Sequence, residues 1–295
     1  MTFKIFYYGS IYIIIVGYLQ YFDPFNLGRY LSLFYTAESQ LFVAIDYEIR
    51  RITVVSENPN DGAVLTSYFI LFNFFSFLFT NNKKNLLFFF LLIGVLFFTQ
   101  SRTVLIATLF ALVFIFMTLK GYWLKKFFLL IILLFLLVVL YPLFDYIFIG
   151  FQLFLNGENL SFNVRLENMK KAYEIFLGSP IFGIGIAKGY FNGFDMDSEW
   201  LSLLSNFGLI GIITVISLLF YPFIFKRQID KINGINLKII YFTLISSSLV
   251  GSLVMVTNNF ITGYQTFLPW LLLMVLSIRL VKYYRIKNAC FNNTL

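Results

Sequence analysis

The 295-residue chain has no histidine, one cysteine (Cys290) and only 12% charged residues. Without histidine the commonest general acid–base side chain is missing, and a Cys/His metal cluster is excluded. A single cysteine also rules out an intramolecular disulfide. The net charge of +8 is not a nucleic-acid footprint, because the basic residues sit in short connections between apolar runs. What the chain does have is apolar surface: 60% hydrophobic residues, 40 Phe, 19 Tyr and a mean hydropathy of +0.84. A soluble domain of this length cannot hide that much, so the sequence reads as an all-α, polytopic membrane protein. The N-terminal stretch "MTFKIFYYGSIYIIIVGYLQ" lacks a small-x-small cleavage site and reads as a retained helix, not a removed signal peptide.

Apolar runs long enough to span, or nearly so, lie at 3–22, 62–80, 86–100, 103–119, 127–149, 200–225, 238–257 and 266–281. They predict eight transmembrane helices within a single integral membrane domain, 1–295. The third and fourth runs are short, so their shared turn "TQSRT" is expected to lie below the membrane surface. Alternate connections differ in character. Lys4, "NNKKN", "KGYWLKK", "KRQIDKINGINLK" and "RLVKYYRIK" hold 14 of the 22 Lys and Arg and one acid, Asp230. The other set (23–61, 100–102, 150–199 and 258–265, with Asp145 at the adjoining helix end) holds 13 of the 14 acids. The positive-inside rule therefore predicts cytoplasmic termini, N-in and C-in, with the long connections outside. The largest, 150–199, is the extracytoplasmic loop expected to cover a site. Within it a helix is predicted over about 163–177, stopped by Gly178 and Pro180.

Lysine dominates the inner set, whereas the outer set carries Arg29, Arg50, Arg51, Arg102 and Arg165 against three lysines. Positive charge is disfavoured outside, so planar guanidinium groups there suggest carboxylate or phosphate recognition, with salt bridges to the outer acids as the plainer alternative. No Asp, Glu, Lys or Arg falls near the middle of a predicted helix. That argues against a proton-coupled carrier and weakens a lipid flippase or export subunit, which remains the non-enzymatic alternative.

Three stretches concentrate the polar chemistry: "ENPNDGAVL" (57–65), "TQSRTVLIA" (99–107), and "NVRLENMKKAYEIFLGSPIFGIG" followed by "DSEWLSLLSNFGLIG" (197–211). In this order, over about residues 50–225, the chain resembles the O-antigen polymerase and ligase superfamily of bacterial envelope glycosyltransferases. The ligase branch carries His-(Asn/Ser/Gln)-x9-Gly-x2-(Gly/Thr/Tyr) at the last stretch. Here Ser198, nine intervening residues, Gly208 and Gly211 fit, and Asp197 stands where the ligases have histidine. That substitution favours a Wzy-type polymerase over a ligase transferring finished glycan to another acceptor. On composition alone, Gly208 and Gly211 also read as small residues for close helix packing.

The resemblance implies a GT-C-like fold in the bacterial cytoplasmic membrane. It also implies polymerisation of polyprenyl-diphosphate-linked repeat units into O-antigen, capsule or exopolysaccharide at the outer face. Donor and acceptor are then lipid-linked glycans, no cofactor or metal is needed, and a chain-length regulator or flippase is a candidate protein partner. Such a reaction needs guanidinium groups on the diphosphate and a group to manage the acceptor proton. The catalytic candidates are Arg102, Arg165 and Asp197, with Arg102 and Arg165 expected to serve one site. The substrate-binding candidates are Arg51, Asn60, Lys188, Ser198 and Glu199. Asp197, Ser198 and Glu199 are expected in the first turn of a helix, where an acid is also simply a favourable terminal residue. Asp195 and Asp197 together permit a rival Asp-x-Asp reading, with Mg²⁺ on the diphosphate.

Overall fold

The computed structural model describes residues 2–38, 41, 51–119, 160–185, 198–230 and 234–292. Among them every regular element is helical: α1 (Thr2–Phe22), α2 (Leu27–Tyr35), α3 (Pro59–Thr80), α4 (Lys83–Phe98), α5 (Arg102–Thr118), α6 (Leu160–Gly178), α7 (Glu199–Phe220), α8 (Lys226–Asp230), α9 (Ile235–Val254) and α10 (Tyr264–Asn292). Five helical segments, Phe3–Phe22, Pro59–Thr80, Glu199–Phe225, Ile235–Val254 and Tyr264–Tyr284, are long and apolar enough to cross a membrane. Those segments, with α4 and α5, account for seven of the eight predicted runs. The eighth, 127–149, lies outside the described residues. α6 matches the predicted loop helix to within three residues at each end.

The chain divides into two compact units, Met1–Leu112 with Ile216–Leu295, and Val113–Val215. In the first unit α3 and α9 form the centre, with α4 and α1 on one flank and α10 on the other. Their core is aromatic and aliphatic where it is broad, and small where backbones approach. Phe6 stacks on Phe72 at 4.5 Å, and Tyr21 on Phe98 at 3.7 Å. Gly62 sits so close to Thr53 that a Cβ there would lie 2.3 Å from its carbonyl oxygen, and Gly251 faces the Phe260 ring in the same way. Small residues at helix contacts are the usual means of tight packing where lipid supplies no hydrophobic drive between helices. Buried hydroxyls back-bond to their own helices, as Thr243 does to Ile239 and Ser247 to Thr243. Side chains also tie helices together: Trp270 Nε1 donates to Ser248 Oγ at 2.9 Å, Asn73 Nδ2 to Ser10 Oγ at 2.7 Å, and Tyr68 Oη to Thr266 O at 2.6 Å.

The connections of this unit gather at its two ends. At one end Lys4, Asn82, Asn85 and Asn236 line a common cavity of about 340 Å³. At the other end, segments around residues 20, 51–61, 97–103 and 257–265 bond to one another. α2 follows α1 at that same end and leaves Leu27, Tyr30, Leu33 and Phe34 exposed. A short helix with such a face, at the end of a membrane span, is accommodated by the lipid interface.

The second unit holds the end of α5, α6, the segment 179–185 and α7 up to residue 215. α7 is not a continuous helix. Gly208 has φ 61° and ψ −153°, which breaks it. The "SPIFGIG" segment lies in the break and exchanges backbone hydrogen bonds with both sides of it. Ile184 N donates to Ser205 O (3.0 Å) and Gly185 N to Asn206 O (2.9 Å), while Leu209 N donates to Pro180 O (2.9 Å) and Ile210 N to Ile181 O (3.3 Å). A break in an apolar helix is tolerated only when its freed N–H and C=O groups find such partners. The reading of Gly208 as a packing glycine inside a helix is therefore corrected: it makes the break.

Candidate functional site

In the first unit, "ENPNDGAVL" starts α3 as an N-terminal cap. Asn58 Oδ1 accepts from Asp61 N at 2.9 Å, and Pro59 occupies the first helical position, where its missing N–H is not needed. The turn "TQSR" between α4 and α5 is closed by Gln100 at φ 53° and by Thr99 Oγ1 donating to Leu96 O. Arg51 joins these two motifs. Its Nε donates to Thr99 O at 3.1 Å and its Nη2 to Asn60 Oδ1 at 3.2 Å. Ile52 N donates to Phe98 O beside it. Two of the candidate residues, Arg51 and Asn60, are thus in direct contact, and Arg102 begins the helix that follows the turn.

The strand-like stretch carrying Arg51 is fixed from behind. Gln20 clasps Val54 through both amide atoms, each at 2.8 Å, and Thr36 bonds Thr53 through their hydroxyls. A third segment completes the cluster. Thr257 Oγ1 donates to Thr103 Oγ1 at 3.1 Å, and Asn258 Nδ2 to Asp61 Oδ1 at 3.2 Å. Tyr264 Oη donates to Glu57 Oε1, and Gln265 Oε1 accepts from Glu57 N. The hydrogen bonds therefore close a circuit from Arg51 through the Arg102 turn, the 257–258 segment and Asp61 back to Asn60. Arg51, Asn60, Asp61 and Arg102 are all half-buried, so polar groups meet a partly desolvated surface there.

Sequence reasoning does not single out Asp61, Thr257, Asn258 or Tyr264. Asp61 lies inside a quoted motif but reads as an ordinary acid of a helix's first turn. Asn258 lies 197 positions from its partner, in a connection with no motif of its own.

In the second unit, α7 begins at Glu199, so Ser198 precedes the helix instead of lying in its first turn; Ser198 O accepts from Ser202 N at 3.0 Å. Glu199 is buried, 1% exposed, unlike a solvated terminal acid. Arg165 falls on α6, and its side chain lies outside the described residues. Lys188, Asp195 and Asp197 also lie outside them. The glycines of "FGIG" and "NFGLIG" do have a structural account. A Cβ on Gly183 (φ +68°) would come within 2.5 Å of the Asn206 carbonyl, and one on Gly208 within 2.7 Å of the Pro180 and Ile181 carbonyls. Both motifs exist to let two backbones meet. That contact ties the end of α6 to the helix that carries Ser198 and Glu199.

Apolar helices of spanning length define a multi-pass membrane protein, and a polar hydrogen-bonded cluster is gathered at one end of its first unit. Residues 87–216 match the family model of the O-antigen ligase domain, Wzy_C, which takes in the 99–102 turn, α6, the inserted segment and the α7 break. Over those residues, 130 of the 295, the chain is similar to the O-antigen ligase family of glycosyl-transfer proteins. Comparison with curated proteins gives no match.

Proposed function

We propose that the chain polymerises oligosaccharide repeat units carried on polyprenyl diphosphate, at the outer face of the bacterial cytoplasmic membrane. The carrying observation is the Arg51 contact, which draws the "PNDGA" segment and the "SRT" turn into one polar cluster. In the proposed reaction an acceptor hydroxyl oxygen bonds to the anomeric carbon of the donor sugar as the bond from that carbon to the diphosphate breaks. Arg102 and Arg165 take the charge that builds on the leaving diphosphate, since a planar fork suits its oxygens. Arg51, Asn60, Lys188, Ser198 and Glu199 bind donor and acceptor, and Asp197 positions the acceptor.

The matching family description favours a second reading, transfer of finished glycan to another acceptor. Asp197 in place of histidine weighs against it. Deletion of the gene in its host, with surface glycan resolved on a gel, separates the two. Single repeats in place of a ladder mean polymerase; intact but unattached polymer means ligase. Asp197→Asn keeps the size of the side chain and removes its charge. It is expected to shorten the ladder markedly at equal protein level, and a full-length ladder would leave Asp197 no chemical part.

The outer-face assignment has its own check. Glu167 lies exposed on α6, so cysteine placed there in a Cys290→Ser background is expected to react with an impermeant maleimide from the outer side. Reaction only after the cytoplasmic membrane is opened would reverse the proposed topology.

A further inference from the structure

We propose that Asp61 accepts the proton of the incoming hydroxyl; this rests on the transfer reaction proposed above. Three observations lead to it. First, the Asp61 carboxylate is held from two sides by amide donors of different segments, Asn58 Nδ2 on Oδ2 and Asn258 Nδ2 on Oδ1. Second, no Lys or Arg among the described residues lies within salt-bridge distance of it, whereas Asp23 in the same unit is paired with Arg29. A carboxylate ion-paired with a guanidinium is a poor proton acceptor; neutral amide donors stabilise the anion less than a cation does, and half-burial works against ionisation. Third, Asp61 adjoins Asn60, which accepts from Arg51. Its Asn258 partner adjoins Thr257, which bonds the residue after Arg102. The carboxylate thus stands in the same circuit as the Arg51 guanidinium and the turn that leads into Arg102, without an ion pair to any cation among the described residues.

The other acids of this unit with described surroundings are differently placed, Glu38 being exposed. Asp23 also accepts from Arg29 N at 3.1 Å and so fixes the start of α2. Glu57 is exposed and receives the Tyr264 hydroxyl at 2.7 Å. Asp61 is the acid that is half-buried, held by two amides and next to Asn60.

The step balances simply. The hydroxyl proton passes to an Asp61 oxygen as the hydroxyl oxygen bonds to the anomeric carbon. The electron pair of the broken carbon–oxygen bond leaves with the diphosphate. The protonated carboxyl then releases its proton to outer water, restoring the carboxylate. The geometry also assigns the 255–263 connection, which lies beyond the matched domain, a part in the reaction: Asn258 positions Asp61.

The test uses the full chain in liposomes, with the host's purified polyprenyl-diphosphate-linked repeat as donor and acceptor, and native mass spectrometry to read binding of that lipid. Asp61→Asn is expected to lower kcat about 10²- to 10³-fold, within the range for loss of a general base, while lipid binding and KM stay near the wild-type values. Asp61→Glu, which restores a carboxylate one methylene further out, regains at least part of the lost rate. A kcat for Asp61→Asn within about threefold of wild type would overturn the assignment, given that general bases contribute far more than this. So would a raised KM at unchanged kcat, or an Asp61→Glu variant no faster than Asp61→Asn. Where Asp61→Asn fails to accumulate, Asp61→Glu decides alone: a reduced kcat at unchanged KM supports the proposal, and a wild-type kcat ends it. An inactive wild-type protein that still binds the lipid counts against the underlying transfer reading, a different result from any of these.

Discussion

Gly208→Ala and Gly183→Ala are each expected to remove most of the folded protein from the membrane, whereas Gly185→Ala leaves most of it in place. All three glycines have positive φ (61°, 68° and 82°), so the sign of φ alone does not separate them. Space does. A Cβ on Gly208 would meet the Pro180 and Ile181 carbonyls at 2.6 to 2.7 Å, and one on Gly183 would meet Asn206 and Phe207 backbone at 2.4 to 2.5 Å. Neither contact involves a side chain that can swing away. Relief requires the two backbones to part, which breaks the exchange of Leu209 with Pro180 and Ile210 with Ile181, or of Ile184 with Ser205 and Gly185 with Asn206. Each backbone group left unpaired in an apolar setting costs about 1–3 kcal/mol. For Gly208 a backbone region reserved for glycine adds about 1–3 kcal/mol. The sum is several kcal/mol against a usual total stability of about 5–15 kcal/mol. Gly185 has open space where its Cβ would go, so alanine there costs only the left-handed strain of about 1–2 kcal/mol. Monodisperse yield and thermal midpoint of detergent-extracted protein read the difference. A Gly208→Ala protein as abundant and stable as wild type would mean that the break is not held by this backbone contact.

The second large effect concerns the arginines. Arg102→Lys and Arg165→Lys are each expected to reduce polymer formation about 10²- to 10³-fold, the scale for losing one preorganised donor to developing charge. Membrane level should not change. Lysine keeps the charge, so the topology is unaffected; it cannot present two parallel N–H groups to a phosphate. Arg51→Lys is expected to act differently, because Arg51 reaches two neutral acceptors at 3.1 and 3.2 Å that a single ammonium cannot span in the same way. It should lower thermal stability together with activity. The checks are the gel ladder and the thermal midpoint, measured on the same preparations. If both Arg102→Lys and Arg165→Lys give wild-type ladders, their charges serve structure or topology only.

These expectations depend on features of unequal visibility in the sequence. Spanning helices are legible because bilayer thickness imposes a length and lipid imposes an apolar composition. Seven of the eight runs appear as helices within a few residues. α6 is legible from the glycine and proline that stop it. The α7 break is not, because residues 200–225 carry only small polar residues and glycines among the apolar ones, and hydropathy cannot sense a backbone dihedral. What breaks the helix is partner groups at 180–185, more than 20 positions away, and the two glycine motifs make physical sense only when read together. The polar cluster is half legible. Arg51 and Asn60 are candidates from charge type and motif, and they do touch. Asp61 and Asn258 gain their meaning from a contact across 197 positions, which no local pattern encodes.

The most direct test of the central claim is reconstitution of the purified full-length chain in liposomes with polyprenyl-diphosphate-linked repeat units as the sole glycan. The account predicts a ladder of lipid-linked products of two, three and more repeats, with one polyprenyl diphosphate released for each bond formed. It also predicts loss of that ladder in the Arg102→Lys protein. Failure of folded wild-type protein to extend the repeat, together with glycan transfer once a different lipid acceptor is supplied, would contradict polymerisation and identify the chain as a ligase.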